Sequence, residues 1–143
     1  MVDNSRLAIY DYLRPLFEGV ITDNVYLMGE PQELTDDDRE NGFIVIRVGD
    51  VRDESEFDMN AYGYVRAYVE AYVPPMSRGR VDTEKYQAFE EGIAQAIQNE
   101  IANGTDEHFS IQSDGILSME DVVDTNANNM FYLYVKSFIV NID

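Results

Sequence analysis

The clearest pattern in the chain is a strict alternation of small and large side chains over residues 62–73. The small set is Gly63, Val65, Ala67, Val69, Ala71 and Val73. The large set is Tyr62, Tyr64, Arg66, Tyr68, Glu70 and Tyr72. Successive side chains of a β-strand point to opposite faces of a sheet, so this period of two predicts a strand with a Val/Ala face and a tyrosine-rich face. Pro74 and Pro75 end the strand, because proline has no N–H to donate to the sheet.

A spacing of three to four residues between apolar positions predicts a helix near the N-terminus. Its apolar side is formed by Leu7, Ile9, Tyr10, Leu13, Leu16 and Phe17. Asp3 or Asn4 supplies the N-cap, and Gly19 stops the helix. Pro15 lacks a backbone N–H and crowds the preceding turn, which predicts a kink or an early end near residues 12–14.

A second and longer helix is predicted from a cap at Asp82 or Thr83 to about Asn103, with Gly104 placed for a left-handed turn after it. Its apolar side is formed by Tyr86, Phe89, Ile93, Ile97 and Ile101. At 1.5 Å per residue the helix is roughly 30 Å long, which is comparable with the width of one domain. We expect it to cover the Val/Ala face of the 62–73 strand.

The remaining strands are shorter or less regular. They are predicted at residues 25–28, 43–48, 109–112, 116–119 and 130–142. Asp114 and Gly115 accept the positive φ of a tight turn, which predicts a hairpin between residues 109–112 and 116–119. The acidic segments at residues 30–40 and 50–60 are predicted to be loops.

The order of elements, α-β-β-β-α-β-β-β, predicts a single α+β domain over residues 1–143. We expect a mostly antiparallel sheet with one long central helix packed on one face and an N-terminal helix. A chain of 143 residues has the usual length of one domain and buries about two thirds of its unfolded surface.

Charge and composition narrow the classes of partner. The chain has 28 acidic and 10 basic residues, a net charge of −18, and no cysteine. The negative field repels the backbone of nucleic acids and anionic membranes, and the absence of cysteine excludes disulfides and thiolate metal sites. The polar segment after Met1 is unlike a signal peptide, and the apolar runs are far shorter than the roughly 20 residues that cross a bilayer. The sequence predicts a protein made in the cytoplasm, with no membrane or sequence-specific nucleic-acid partner.

Few residues suggest catalysis or metal binding. His108 is the single histidine, and no serine lies in a motif typical of an activated nucleophile. The acidic run of Asp36, Asp37, Asp38 and Glu40 has the oxygen ligands that Ca²⁺ or Mg²⁺ prefers, but its spacing differs from that of an EF-hand and it lacks the central glycine. A solvated acidic loop accounts for the same residues. We therefore predict no catalytic residue, no cofactor and no metal, with cation binding at residues 36–40 as the alternative.

The tyrosine-rich side of the 62–73 strand is the candidate functional surface. Its members are Tyr62, Tyr64, Arg66, Tyr68, Glu70 and Tyr72. Tyrosine and arginine are enriched in the cores of protein interfaces, so one interpretation is that this face meets another subunit. The other interpretation is that the N-terminal helix covers it. Twelve extended residues span about 40 Å, whereas a compact domain of this size is roughly 35 to 40 Å across, which favours a strand that reaches the surface.

The order and length of the elements resemble those of the tail-terminator proteins of long-tailed bacteriophages and prophages, also called tail-completion or minor tail proteins. Residues 3–17, 43–51, 62–73, 83–103 and 130–142 carry this resemblance. It implies a structural protein of the virion tail or neck, assembled in the host cytoplasm. It further implies a homo-oligomeric ring, usually a hexamer, that caps the tail tube and contacts tail-tube and head-connector proteins.

Three other interpretations remain open at this point. A head-completion or neck adaptor protein differs from a tail terminator in its partner. An acidic regulator or nucleic-acid mimic would use the net charge of −18 to bind a basic protein. An enzyme would be a carboxylate-metal hydrolase built on residues 36–40.

Overall fold

A computed structural model describes residues 6–20, 22–29, 31–49, 64–113, 119–124 and 131–142. The helices are α1 (Arg6–Phe17), α2 (Asp36–Asn41) and α3 (Thr83–Asn103), with a short 3₁₀ turn at Ser77–Gly79. The strands are β1 (Val25–Leu27), β2 (Phe43–Val48), β3 (Tyr64–Val73), β4 (Phe109–Ser113), β5 (Met119–Asp124) and β6 (Phe131–Ile142). The predicted α+β class is confirmed.

The strands form one mixed sheet in the order β1-β2-β3-β6-β4, with β5 also paired to β6. β1 runs parallel to β2, and the other pairs are antiparallel. β3 and β6 occupy the centre, where β3 pairs with β6 along its whole length, from Tyr64 opposite Asn141 to Val73 opposite Tyr132.

The hairpin predicted between residues 109–112 and 116–119 is wrong at Met119, the one residue of its second arm that the structure describes, because Met119 pairs with Val135. β4 pairs with residues 138–142 of β6, and β5 pairs with residues 131–135 of the same strand. The two strands therefore follow each other along one edge of β6 instead of pairing together. The Asp114-Gly115 turn and residues 116–118 of the predicted second arm lie outside the described residues. The long β6 strand offers enough backbone donors and acceptors for both, so tertiary pairing outweighs the local turn signal.

Both long helices pack on the same face of the sheet. Ile9, Leu13 and Phe17 of α1 and Phe89, Ile93 and Ile97 of α3 share one buried cluster with the Val/Ala side of β3. Val65, Ala67, Val69, Ala71 and Val73 are all nearly or completely inaccessible. The interpretation that the N-terminal helix covers the tyrosine side is therefore wrong, because α1 lies on the opposite face.

Pro15 does not end α1 early as predicted. The helix continues to Phe17, which is fully buried in the core. Pro15 stands in the last turn and is exposed, so it removes one hydrogen bond only, that to the carbonyl of Asp11. Burial of Phe17 outweighs that loss.

Part of the segment predicted as a loop at residues 30–40 is the helix α2. Its N-cap is Thr35, whose hydroxyl accepts a hydrogen bond of 3.0 Å from the backbone N–H of Asp38. The Asp38 carboxylate accepts a reciprocal bond of 3.0 Å from the backbone N–H of Thr35. This capping box, with three acidic residues in the first turn, stabilises the positive end of the helix dipole. The acidic run therefore has a structural use that net charge alone does not reveal.

Candidate subunit-binding surface

The face of the sheet opposite the two long helices, here called the tyrosine face, is built by β2, β3 and β6. Cross-strand register brings Arg47 of β2 and Ser137 of β6 next to Tyr68, and places Ile139 of β6 next to Arg66. Tyr62 lies outside the described residues. The other predicted members of the surface all belong to this face, but the structure places them in three different environments.

One end of the tyrosine face is closed by an aromatic cluster. Phe43 stacks on Tyr72 with ring centroids 4.5 Å apart, and Phe131 meets Phe43 edge-on at 5.5 Å. Leu34 and Tyr26 pack against the same cluster. Tyr72 is only 3% exposed. Phe43 and Phe131 enclose Tyr72 within the subunit, so it is not part of the accessible surface of this face.

Residues from the α2 region hold this closed end in place. The Tyr26 hydroxyl lies 2.9 and 2.7 Å from the two carboxylate oxygens of Asp38, and Asp38 is completely buried. Asp37 accepts hydrogen bonds from the side-chain amides of Asn24 and Asn41. Each of these carboxylates has its own neutral partner, and none requires a cation to satisfy it.

The alternative of a cation site at residues 36–40 gains no support from this geometry. Asp36 is exposed and lies 3.5 Å from Arg39, whereas the Asp38 carboxylate is occupied by Thr35 and Tyr26. In the part of the chain that the structure describes, no group of three carboxylate or imidazole side chains converges as metal ligands do. His108 is exposed, and its backbone N–H donates to Asp106 in a local turn.

An ion pair crosses the middle of the tyrosine face. The Arg47 Nε donates to Glu70 Oε1 at 2.9 Å, and Arg47 Nη1 donates to the carbonyl of Met28 at 3.0 Å. Burial disfavours the charged guanidinium, but the charge and hydrogen bond of Glu70 outweigh it, so the pKa of Arg47 is raised further above its usual value. Glu70 therefore serves the interior of the subunit, as a fixed partner for Arg47.

The other end of the tyrosine face is accessible. Tyr64 is 51% exposed, Arg66 is exposed and Tyr68 is half-buried. Ile139 and Val135, half-buried on β6, lie beside them on the same face. We define Tyr64, Arg66, Tyr68, Val135 and Ile139 as the open patch. It presents aromatic, guanidinium and aliphatic groups on rigid strands, which is the composition of a protein interface core.

Sequence reasoning missed the contribution of β6 to this surface. The alternation of residues 130–142 places Val135 and Ile139 on one side of the strand. It does not show which side of that strand lies on the same sheet face as the tyrosines of β3. That choice depends on the register in which Arg66 opposes Ile139. A shift of one residue would exchange the two sides.

Alkaline titration tests the Tyr26 contact. Burial, followed by the hydrogen bond and charge of Asp38, raises the pKa of Tyr26 to about 12. An unfolded tyrosine titrates near 10, so its contribution to stability is complete below about pH 10 and is lost as the pH rises through about 12. We expect Tyr26→Phe to weaken the fall of unfolding free energy over this range, measured by urea denaturation at stepped pH. An unchanged slope would contradict the assigned contact.

No protein-family model matches this chain, and a search of curated protein sequences found no significant match. Among the residues described above, no helix is both long enough and apolar enough to cross a membrane.

Proposed function

We propose that this chain is a structural protein of phage or prophage tails that binds neighbouring subunits through the open patch. In this proposal it caps the tail tube as a ring and joins the tail to the head. The observation that carries the proposal is the accessibility of Tyr64 and Arg66 on a strand whose other side is fully covered by helices. Rigid, exposed aromatic and arginine side chains are the groups that most often dominate binding energy between proteins.

The two ends of the tyrosine face have different parts in this proposal. Stacking of Phe43, Tyr72 and Phe131 fixes the closed end, and the Arg47–Glu70 pair fixes the middle. The open patch is therefore preorganised, since its strands are held on both sides and little backbone entropy is lost when a partner binds. In a closed ring, the open patch of each copy would bind a different surface of the next copy.

The acidity of the chain supports a ring through which DNA passes. At −18 per copy, a hexamer carries a formal charge of roughly −100. A lumen of that sign repels the phosphate backbone, so DNA would slide without being held. The order of helices and strands that resembles tail-terminator proteins is the second support for this particular assembly.

Binding to isolated tail components tests the proposal. The full chain is mixed with the tail-tube protein and, separately, with the portal-side connector proteins encoded by the same phage or prophage, and is examined by co-sedimentation and negative-stain electron microscopy. We expect rings of uniform copy number at tube ends. Binding to the connector proteins alone would instead support a neck adaptor. Binding to neither would overturn the proposal.

The charge also favours a second candidate, an acidic regulator that occupies a basic protein surface. Asp36, Asp37 and Glu40 present exposed carboxylates on and around α2. Such binding would weaken steeply with salt, because it depends on long-range attraction. Contacts through the open patch depend mainly on apolar burial and would change little between 50 and 500 mM NaCl, so a salt series of the binding reactions separates the two candidates.

A further inference from the structure

A groove of about 460 Å³ lies on the helical side of the molecule, between the end of α1 and the C-terminal half of α3. Its lining residues are Pro15, Leu16, Val20, Gly92, Gln95, Ala96, Asn99, Glu100, Asn103 and Thr105. Small-molecule sites commonly occupy roughly 300 to 1000 Å³, so the groove has room for an extended side chain. Gly92 and Ala96, four residues apart on α3, leave an apolar path along the helix.

A buried carboxylate forms part of the groove wall. Glu100 is only 3% exposed. Its Oε2 accepts hydrogen bonds from the Tyr12 hydroxyl at 2.6 Å, the Thr105 backbone N–H at 3.0 Å and the Thr105 hydroxyl at 3.1 Å. All three donors are neutral and all three reach the same oxygen. At Asp38 both carboxylate oxygens accept hydrogen bonds, whereas at Glu100 the described residues supply donors to Oε2 and leave Oε1 as an acceptor.

The electrostatics of this region are unbalanced. No cationic side chain in the described ranges pairs with Glu100, and the last turn of α3 contains no basic residue. The carboxylate lies at the C-terminal end of α3, where the helix dipole is negative and stabilises cations. Burial of a carboxylate costs free energy unless an opposite charge or enough donors compensate it. The groove is thus complementary to a positive charge.

We propose that this groove is a docking site for a lysine side chain of a partner protein, with the ammonium at Glu100 and the aliphatic stem along Gly92 and Ala96. An arginine fits less well, because a guanidinium binds a carboxylate best through both oxygens and Oε2 already accepts three hydrogen bonds. An ammonium needs one carboxylate oxygen, and the carbonyl oxygens at the end of α3 can accept its remaining donors.

This site is separate from the open patch. α1 and α3 cover the face of the sheet opposite the tyrosine face, so the groove and the open patch lie on opposite sides of the molecule. The lysine site therefore does not depend on the proposed tail function. A chain with both surfaces can hold two different partners at the same time.

An amide NMR titration of the full chain tests the site with N-acetyl-lysine-N-methylamide as the probe. We expect saturable shifts centred on Ala96, Gly104 and Thr105, with an affinity in the millimolar range because a single side chain buries little area. The matching norleucine compound, which keeps the apolar stem and lacks the ammonium, controls for apolar binding. Equal shifts with norleucine would overturn the proposal.

Two variants make the titration decisive. Glu100→Gln keeps an oxygen for Tyr12 and Thr105 but removes the negative charge, and we expect binding at least fivefold weaker. Asn99→Lys changes an exposed residue on the groove rim and supplies an ammonium from the chain itself, which should also reduce binding at least fivefold while Glu100 stays intact. Unaltered binding in Asn99→Lys would count against the site even if Glu100→Gln failed to fold.

Putrescine is the last probe of the titration. Tighter binding of this diamine than of the lysine compound would overturn the assignment of the site to a protein side chain.

Discussion

Gly42→Ala is expected to lower the free energy of unfolding by about 3 kcal/mol, because steric overlap is added to an unfavourable backbone conformation. Gly42 follows α2 with φ 84° and ψ 179°, a region that is essentially restricted to glycine. A Cβ at this position would lie 2.5 Å from the carbonyl oxygen of Tyr72 and 3.2 Å from Phe89 Cζ. The first of these atoms belongs to the backbone of the central strand β3 and cannot move without disturbing the sheet.

Gly104→Ala is the matched control for this prediction. Gly104 also follows a helix and has φ 58°, but no atom lies within 4 Å of the position its Cβ would take. Its replacement should cost about 1 to 2 kcal/mol, the strain of a positive-φ backbone (ψ 127°) without a clash. Urea denaturation of both variants at equal pH measures the difference. Equal losses would show that contact with β3 is unimportant at Gly42.

The pair of substitutions Tyr64→Ser and Arg66→Glu is expected to abolish self-association through the open patch. Each residue is accessible on the same side of β3. Truncation of a central tyrosine or arginine commonly costs 2 kcal/mol or more, so loss of both should weaken binding by about 100-fold or more. Mass photometry and sedimentation velocity over a range of concentrations, with the tail-tube protein present and absent, measure the change.

Leu7→Ser is the control for the open-patch variants. Leu7 is 66% exposed on α1, on the other side of the sheet, and its replacement removes a comparable exposed apolar group. We expect this variant to assemble like the parent protein. The chain has no cysteine, so Tyr64→Cys can also be labelled or cross-linked at one position only. Normal assembly of the Tyr64/Arg66 double variant, with its fold intact by circular dichroism, would exclude the open patch as the interface.

Local patterns predicted those parts of the fold that depend on local physics. The period of two in residues 64–73 identified the side of β3 that lies under the helices, because burial of Val and Ala on one side leaves the larger residues on the other. The α+β class followed from the presence of both a period of two, typical of strands, and a spacing of three to four residues, typical of helices. The cap of α2 is also local, since Thr35 and Asp38 are three residues apart. This segment was nevertheless predicted to be a loop, because its composition is strongly acidic.

Other features depend on contacts between distant residues and could not be predicted. Backbone pairing over the whole of β6 sets the positions of β4 and β5 along one of its edges. The Asp-Gly pair is a local feature and gives no information on this pairing. Contacts between distant strands also place the predicted interface residues in different environments. Tyr72 is buried because Phe43 and Phe131 come from other strands, whereas Tyr64 at the far end of the same strand is 51% exposed.

The central position of β6 has a consequence for synthesis of the protein. This strand comes last in chain order among the described elements, yet it joins β3 to β4 and β5. While the ribosome is still translating the earlier segments, β3 has a free edge and the apolar surfaces of the helices lack Phe138 and Val140, which complete the core. Pairings between distant segments close slowly, so the nascent chain passes through a stage with exposed apolar surface in which chaperones can bind it. The sheet can close only once residues 131–142 have left the ribosome.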